Sequence, residues 1–148
     1  MPLTVFDIMT KRLEFVAEMA SVQEAAMKMK EKNVSSLIVM DEKNKPKGLV
    51  TEQDLVRKVC INDINTSSVN IREIMSSPLI VINSNLSPSI AIDNMLQNNV
   101  RHLLVVDNND ANANKPVGII TPLDFTKYEE YTNEDEKDSI EKILEYYI

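Results

Sequence analysis

Glycine is nearly missing from this chain: there are two in 148 residues, Gly48 and Gly118. A Walker-type phosphate loop, which needs a glycine-rich run ending in Lys-Ser/Thr, is therefore excluded. Cysteine occurs once, at Cys60, which rules out an intramolecular disulfide framework and any cysteine-rich metal site. Its place after Val59 in an apolar setting predicts a buried, inert thiol. Histidine also occurs once, at His102. No Cys–His or Ser–His–Asp order and no metal-ligand spacing can be assembled, so an enzyme is not expected. Long apolar runs are absent too. No segment approaches the roughly 20 residues a spanning helix needs, and no secretory signal is visible. The expectation is a cytoplasmic protein with no membrane role, in which the Asn-x-Ser/Thr triplets at Asn33, Asn65 and Asn85 carry no meaning. Positive charge is in deficit, with a formal net charge of -7. That argues against nucleic acid as a partner, and an anion site would have to be local, built from a few cations and helix N-termini. What remains, at 43% hydrophobic, is enough for a compact domain with a core.

The two glycines open the same sentence twice. Gly48-Leu49-Val50-Thr51-Glu52-Gln53-Asp54 is echoed by Gly118-Ile119-Ile120-Thr121-Pro122-Leu123-Asp124. An apolar pair ends a strand, and a Thr with a carboxylate three residues on caps a following helix. Read structurally, this is a capping box with a turn glycine. Read functionally, the glycine lets a small molecule approach the backbone, the Thr faces a phosphate and the Asp accepts a ribose diol.

The echo extends along the chain. A shift of 66 pairs Met9 with Met75, Leu13 with Leu79, Ser21 with Ser87, Met29 with Met95 and Asn33 with Asn99. After Asp41 and Asp107 the shift becomes 70, because copy two carries extra residues in a polar stretch at 108–115, expected to be a loop. Ser21-Val22-Gln23-Glu24 is a capping box, and Ser87-Pro88 is an N-cap with Pro at the first helical position. Val22, Ala25, Ala26 and Met29, like Pro88, Ala91, Ile92 and Met95, fall at helical spacing, so both methionines belong to the core. Strands are predicted at 13–16, 36–40 and up to Thr51, and again at 79–82, 102–106 and up to Thr121. Second helices follow, carrying Leu55, Val56 and Val59 in copy one and Phe125 and Tyr128 in copy two. The fold class is α+β, with tandem β-α-β-β-α repeats over 1–62 and 63–128. An acidic tail over 129–148 holds Ile140, Ile143, Leu144 and Tyr147 at helical spacing. That last helix either straps the chain's own surface or meets a second chain.

Two tandem copies of Ile-Met-Thr/Ser, a capped helix, an apolar strand ending in Asp, and Gly-h-h-Thr-x-x-Asp resemble the cystathionine-β-synthase (CBS) domain pair, a Bateman module. The resemblance covers about residues 5–128. It implies two repeats packed with pseudo-twofold symmetry, clefts that bind adenosyl ligands, and pairing into a homodimer. The implied ligands are AMP, ADP, ATP, S-adenosylmethionine or a dinucleotide. No cofactor is required beyond that regulatory ligand, although magnesium could accompany ATP. Asp54 and Asp124 would hold ribose, with Thr51 and Thr121 near ribose or phosphate. Thr10, Leu13 and Phe15, and Ser76, Leu79 and Val81, match the adenine segment. The phosphate position carries Arg101-His102 in copy two but Ser35-Ser36 in copy one, so the Asp124 site is expected to be the stronger. Lys11 and Arg12, after Met9-Thr10, could close over a phosphate but read more simply as exposed loop cations, and Arg57 and Lys58 read as a solvated helix face. The implied function is a regulatory sensor of adenine nucleotides acting through an effector protein. The alternative is an interaction scaffold that keeps the fold without the ligand.

Overall fold

Each repeat is built on a helix that its sequence starts and stops locally. The computed structural model describes residues 2–107, 115–131 and 134–147. Helix α1 is a single turn, Val5–Ile8, closed by a Thr4/Asp7 capping box. Strand β1 is Phe15–Ala17 and helix α2 is Val22–Lys32. Ser21 accepts from the Glu24 N–H at 3.1 Å to start α2, and Asn33 ends it in the left-handed region at φ 54°. Asn is tolerated there because its short polar side chain offsets part of the steric cost. Strands β2 (Ser36–Met40) and β3 (Pro46–Thr51) follow, then a three-residue helix α3 (Glu52–Asp54).

Repeat two runs in parallel terms. A 3₁₀ turn at Ile71–Glu73 precedes β4 (Val81–Asn83), α4 (Pro88–Asn98), β5 (Leu103–Asp107) and β6 (Lys115–Ile120). Pro88 stands at the start of α4 and Asn99 ends it at φ 52°. A 3₁₀ stretch over Pro122–Tyr131 and helix α5 (Glu134–Tyr147) complete the chain. The expected 108–115 loop lies outside the described residues except for Lys115, which already belongs to β6.

Two three-stranded sheets result, ordered β1-β2-β3 and β4-β5-β6. In each the first pair is parallel and the second antiparallel. Each antiparallel pair also carries a bulge one residue before the signature glycine. Val39 faces Gly48 while Met40 faces Pro46, leaving Lys47 extra. Val105 faces Gly118 while Val106 faces Pro116, leaving Val117 extra. A bulge bends its strand and re-aims the side chain there. Lys47 sets its ammonium 3.2 Å from the buried Glu18 carboxylate, at ion-pair distance but without hydrogen-bond geometry. Copy two has Ser84 and Val117 at these places.

The compact units interleave the repeats. One comprises residues 1–12 with 80–148, the other residues 13–79. The first closes its core around Ile92, Met95, Leu103, Ile120 and Phe125, and includes Val5, Ile8 and Met9 from the chain's start. The second closes around Val22, Met29, Leu37, Val50 and Val59, and includes Ile71 and Ile74. Met29 and Met95 are both buried, as their spacing predicts.

Three expectations change. The second helices are not regular. After α3 the chain winds as a π-helix over Leu55–Val59 and a 3₁₀ turn over Cys60–Asn62, and copy two is 3₁₀ throughout. The wider π turn alters the phase of the apolar face, so Val59 is buried while Val56 is 55% exposed. For the same reason Cys60 is exposed rather than buried. The strand starts also move, from 13 and 79 to Phe15 and Val81, because register follows pairing with Ile38 and Leu104. The last helix straps its own unit, with Ile140 and Ile143 fully buried in that core. The side chains of Tyr128, Glu129, Glu130 and Tyr147 lie outside the described residues. Among the described residues no helix is long and apolar enough to cross a membrane.

Candidate functional site

The signature glycines are required by what packs on them. Neither has positive φ, so neither is a turn glycine. A Cβ at Gly118 would stand 2.5 Å from Met9 Sδ and 2.8 Å from the Thr10 carbonyl oxygen. At Gly48 it would meet the Ser76 carbonyl oxygen at 2.6 Å and Met75 Sδ at 2.9 Å. What comes close to each glycine is the chain's own Met-Thr or Met-Ser segment, brought from the other sequence repeat. Backbone bonds fix that segment. Thr10 donates to Ile119 O at 2.8 Å and accepts from Ile119 N–H at 2.9 Å, and Ser76 and Leu49 exchange bonds of 2.8 and 3.0 Å.

In the unit of residues 1–12 and 80–148, this bridge brings Thr10 onto the end of β6. Its hydroxyl donates to Asp124 Oδ1 at 3.1 Å across a separation of 114 residues. Asp124 Oδ2 accepts the Thr121 N–H at 2.9 Å and the Thr121 hydroxyl at 3.5 Å. Lys127 Nζ lies 3.1 Å from Oδ1. The carboxylate is 4% exposed as a residue, and its roughly four lone-pair positions are all engaged. Arg101 and His102, both half-buried, lead into β5, where Leu103 pairs with Ile120. They therefore occupy the same sheet end as Thr121. Val81 opens β4 and is exposed.

The unit of residues 13–79 repeats the geometry with differences. Asp54 Oδ2 accepts the Thr51 N–H at 3.0 Å and its hydroxyl at 3.3 Å, while Asp54 N–H donates back to Thr51 Oγ1 at 3.2 Å. This is a complete capping box, as the spacing predicts. Lys58 Nζ sits 3.2 Å from Asp54 Oδ1 and donates to Ile74 O at 2.8 Å. Ser36 pairs with Thr51, and the Glu52 N–H donates to Ser35 O, so Ser35 stands beside the Thr where the other unit has Arg101. Ser76 is exposed beside Leu49, but among the described residues it makes no side-chain bond to Asp54. Leu13, Phe15 and Leu79 are half-buried in this same unit.

Sequence reasoning missed the two lysines. Lys58 read as solvated, and Lys127 was not singled out. The signal was present in their spacing from the signature carboxylate. Residues i and i+4 meet on a helix, giving Asp54–Lys58, whereas i and i+3 eclipse in a 3₁₀ turn, giving Asp124–Lys127. Among the described residues no group of three or more His, Cys, Asp or Glu could hold a metal ion.

Comparison with known proteins closes the question of kinship. An uncharacterized protein of Methanopyrus kandleri is 36% identical over 108 residues, covering 73% of this chain and 53% of its own length. This chain thus spans about half of that relative. The crystal structure of an uncharacterized conserved protein from Pyrococcus horikoshii superposes with a TM-score of 0.74 at 28% identity, covering 90% of this chain and 97% of that one. The CBS domain pair of protein MJ0100, in complex with 5′-methylthioadenosine and S-adenosyl-L-methionine, gives a TM-score of 0.72 at 25% identity, covering 88% and 98%. The family model of the CBS domain matches twice, over residues 5–60 and 71–131. With both copies matched and the α+β repeat fold in place, the chain belongs to the CBS domain family.

Proposed function

We propose that this chain is a regulatory module that binds an adenosyl ligand and signals to a separate effector protein, working as a homodimer. The observation that carries the reading is the Thr10 hydroxyl standing 3.1 Å from Asp124, with Thr121 on the other carboxylate oxygen. Two hydroxyls and a carboxylate converge from distant parts of the sequence, and Arg101-His102 stand at the same strand end. A ribose diol would take Oδ1 as a two-bond acceptor, replacing the Thr10 hydroxyl and the Lys127 ammonium. The displaced lysine and Arg101 leave two cations near a phosphate or carboxylate tail, with His102 beside them as a further hydrogen-bond donor. The MJ0100 pair, which binds two adenosyl compounds, supports the ligand class without selecting among AMP, ADP, ATP, S-adenosylmethionine and dinucleotides. In the other unit Thr51, Asp54, Ser76 and Ser35 would form a weaker site, which keeps a lysine, Lys58, on its carboxylate but has Ser35-Ser36 where the first has Arg101-His102.

One observation favours the second reading, a scaffold without ligand. Thr51 and Asp54 form a complete cap, and both signature carboxylates are already ion-paired, so these residues would persist for structure alone. Heating scans separate the two. A ligand at 100 times its dissociation constant adds about 2.7 kcal/mol of apparent stability, which raises the midpoint by about 5–10 °C for a chain of this size. Millimolar AMP, ATP, S-adenosylmethionine and NAD are the compounds to test. A rise with any of them supports the sensor, and no rise with all four leaves the scaffold.

A further inference from the structure

Both signature carboxylates carry a lysine, but the two lysines are held differently. Lys127 reaches Asp124 Oδ1 at 3.1 Å with 58% of its side chain exposed, and among the described residues its ammonium has no second partner. Lys58 has two partners. It sets its ammonium 3.2 Å from Asp54 Oδ1 and donates to the Ile74 carbonyl oxygen at 2.8 Å. Ile74 is buried in the core of the same unit, residues 13–79, and two residues later Ser76 exchanges backbone bonds with Leu49. Lys58 therefore ties the carboxylate of repeat one to the Met-Ser segment that lies on Gly48. In the other unit the Thr10 hydroxyl makes that tie by reaching Asp124 directly, and Lys127 stands outside it.

The carbonyl changes what the ammonium can do. An exposed ion pair contributes little, so Lys127 turns away once a diol takes Oδ1. Lys58 is also bonded to a main-chain oxygen in a fixed segment, and leaving would cost that oxygen a charged donor. With Thr51 on Oδ2 and a tethered ammonium on Oδ1, Asp54 is closed to a ribose diol while Lys58 stays. We propose that Lys58 is a latch, which holds the Asp54 carboxylate against the Ile74-Met75-Ser76 segment and competes there with the ribose of an adenosyl ligand. Lys58 is thus a positioning residue that lowers affinity, whereas Lys127 is a cation that serves the ligand's anionic tail. The inference rests on the adenosyl reading of these sites and adds opposite roles for two lysines that occupy the same oxygen of equivalent carboxylates.

The experiment removes each ammonium and keeps most of its stem, as Lys58→Met and Lys127→Met. Wild type and both variants are titrated calorimetrically with AMP, ATP, S-adenosylmethionine and NAD in turn, and the phase lost in Asp54→Ala marks the latched site. Lys58→Met should tighten that phase by about three- to tenfold, as expected for removing a competing charge-assisted bond from a half-exposed side chain. Lys127→Met should weaken the tighter phase, because a cation near the tail is lost. Without ligand, the Ser76 and Leu49 amides should exchange faster in Lys58→Met than in wild type, with those of Thr10 and Ile119 unchanged. A lysine that only stabilised the fold would speed exchange without raising affinity. If Lys58→Met loses its melting transition, Lys58→Gln carries the same test with a polar head in its place. A marked phase left unchanged or weakened by Lys58→Met would overturn the latch and leave the adenosyl reading standing. Binding at that site in Lys58→Met alone would support the latch, and no binding by wild type or either variant would overturn both.

Discussion

Replacing Gly118 by Ala tests how each repeat receives the other's Met-Thr segment. The new methyl would stand 2.5 Å from Met9 Sδ and 2.8 Å from the Thr10 carbonyl oxygen. The sulfur is part of a flexible side chain and can move aside. The carbonyl cannot, because Thr10 is held by two backbone bonds to Ile119 of 2.8 and 2.9 Å. Overpacking of this kind costs about 1–3 kcal/mol, and stretching the two bonds adds up to about 1 kcal/mol each. Against this, Ala restricts the unfolded chain and returns about 0.4–1 kcal/mol. The net expectation is a loss of about 2–3 kcal/mol, or a midpoint lower by about 5–10 °C. Urea unfolding with a two-state fit measures the loss. Hydrogen exchange at the Thr10 and Ile119 amides locates it, since both should lose protection before the core of the same unit. A variant as stable as wild type, with both amides still protected, would refute the close-packing explanation of the signature glycine.

Other outcomes follow from single contacts. Asn33→Ala should destabilise by about 1 kcal/mol, because a residue at φ 54° pays the left-handed penalty, whereas Asn33→Gly should stay within about 0.5 kcal/mol; paired urea titrations check both. Ile143→Ala should lose about 2–5 kcal/mol, as expected for a fully buried aliphatic, and a change under 1 kcal/mol would show that α5 does not strap its unit. The Lys45 and Lys43 N–H groups, at 3.0 and 2.8 Å from Asp41 Oδ1, hold this carboxyl below its ordinary value of 3.8, the Lys45 bond being the larger cause. A lowered folded pKa contributes stability that is present above the ordinary value and lost as pH falls through the folded one. The stability gap between wild type and Asp41→Asn should therefore be constant from neutral pH down to about 5 and close below about pH 4, as read by melts across that range.

Much of this was legible because the chain repeats itself. A serine at the helix start and an asparagine at its end recur at one spacing, Ser21 and Asn33 matching Ser87 and Asn99, so these readings were checked by their copy, although only Ser21 makes a side-chain cap bond. The strands Ser36–Met40 and up to Thr51 were readable because both ends are marked by polar residues. The second helices were not, since no propensity separates an α-turn from the π and 3₁₀ turns set by packing. That local winding also decides that Cys60 faces outward and that Asp54 and Asp124 take lysines at different offsets. The glycine's role was misread because its steric partner, Met9 or Met75, comes from the other repeat, and a spacing argument within one repeat cannot see it.

On the proposed function, the Asp124 carboxylate anchors an adenosyl site stronger than its Asp54 counterpart. Calorimetric titration of the wild type, Asp124→Ala and Asp54→Ala with the ligand that raises the melting midpoint tests it most directly. An Arg contact to phosphate contributes about 1.5–3 kcal/mol against about 1 for a neutral hydroxyl, so two phases differing by about tenfold in affinity are expected. Asp124→Ala should abolish the tighter phase and Asp54→Ala only the weaker one. A tight phase that survives Asp124→Ala, or equal losses from the two substitutions, would contradict the account.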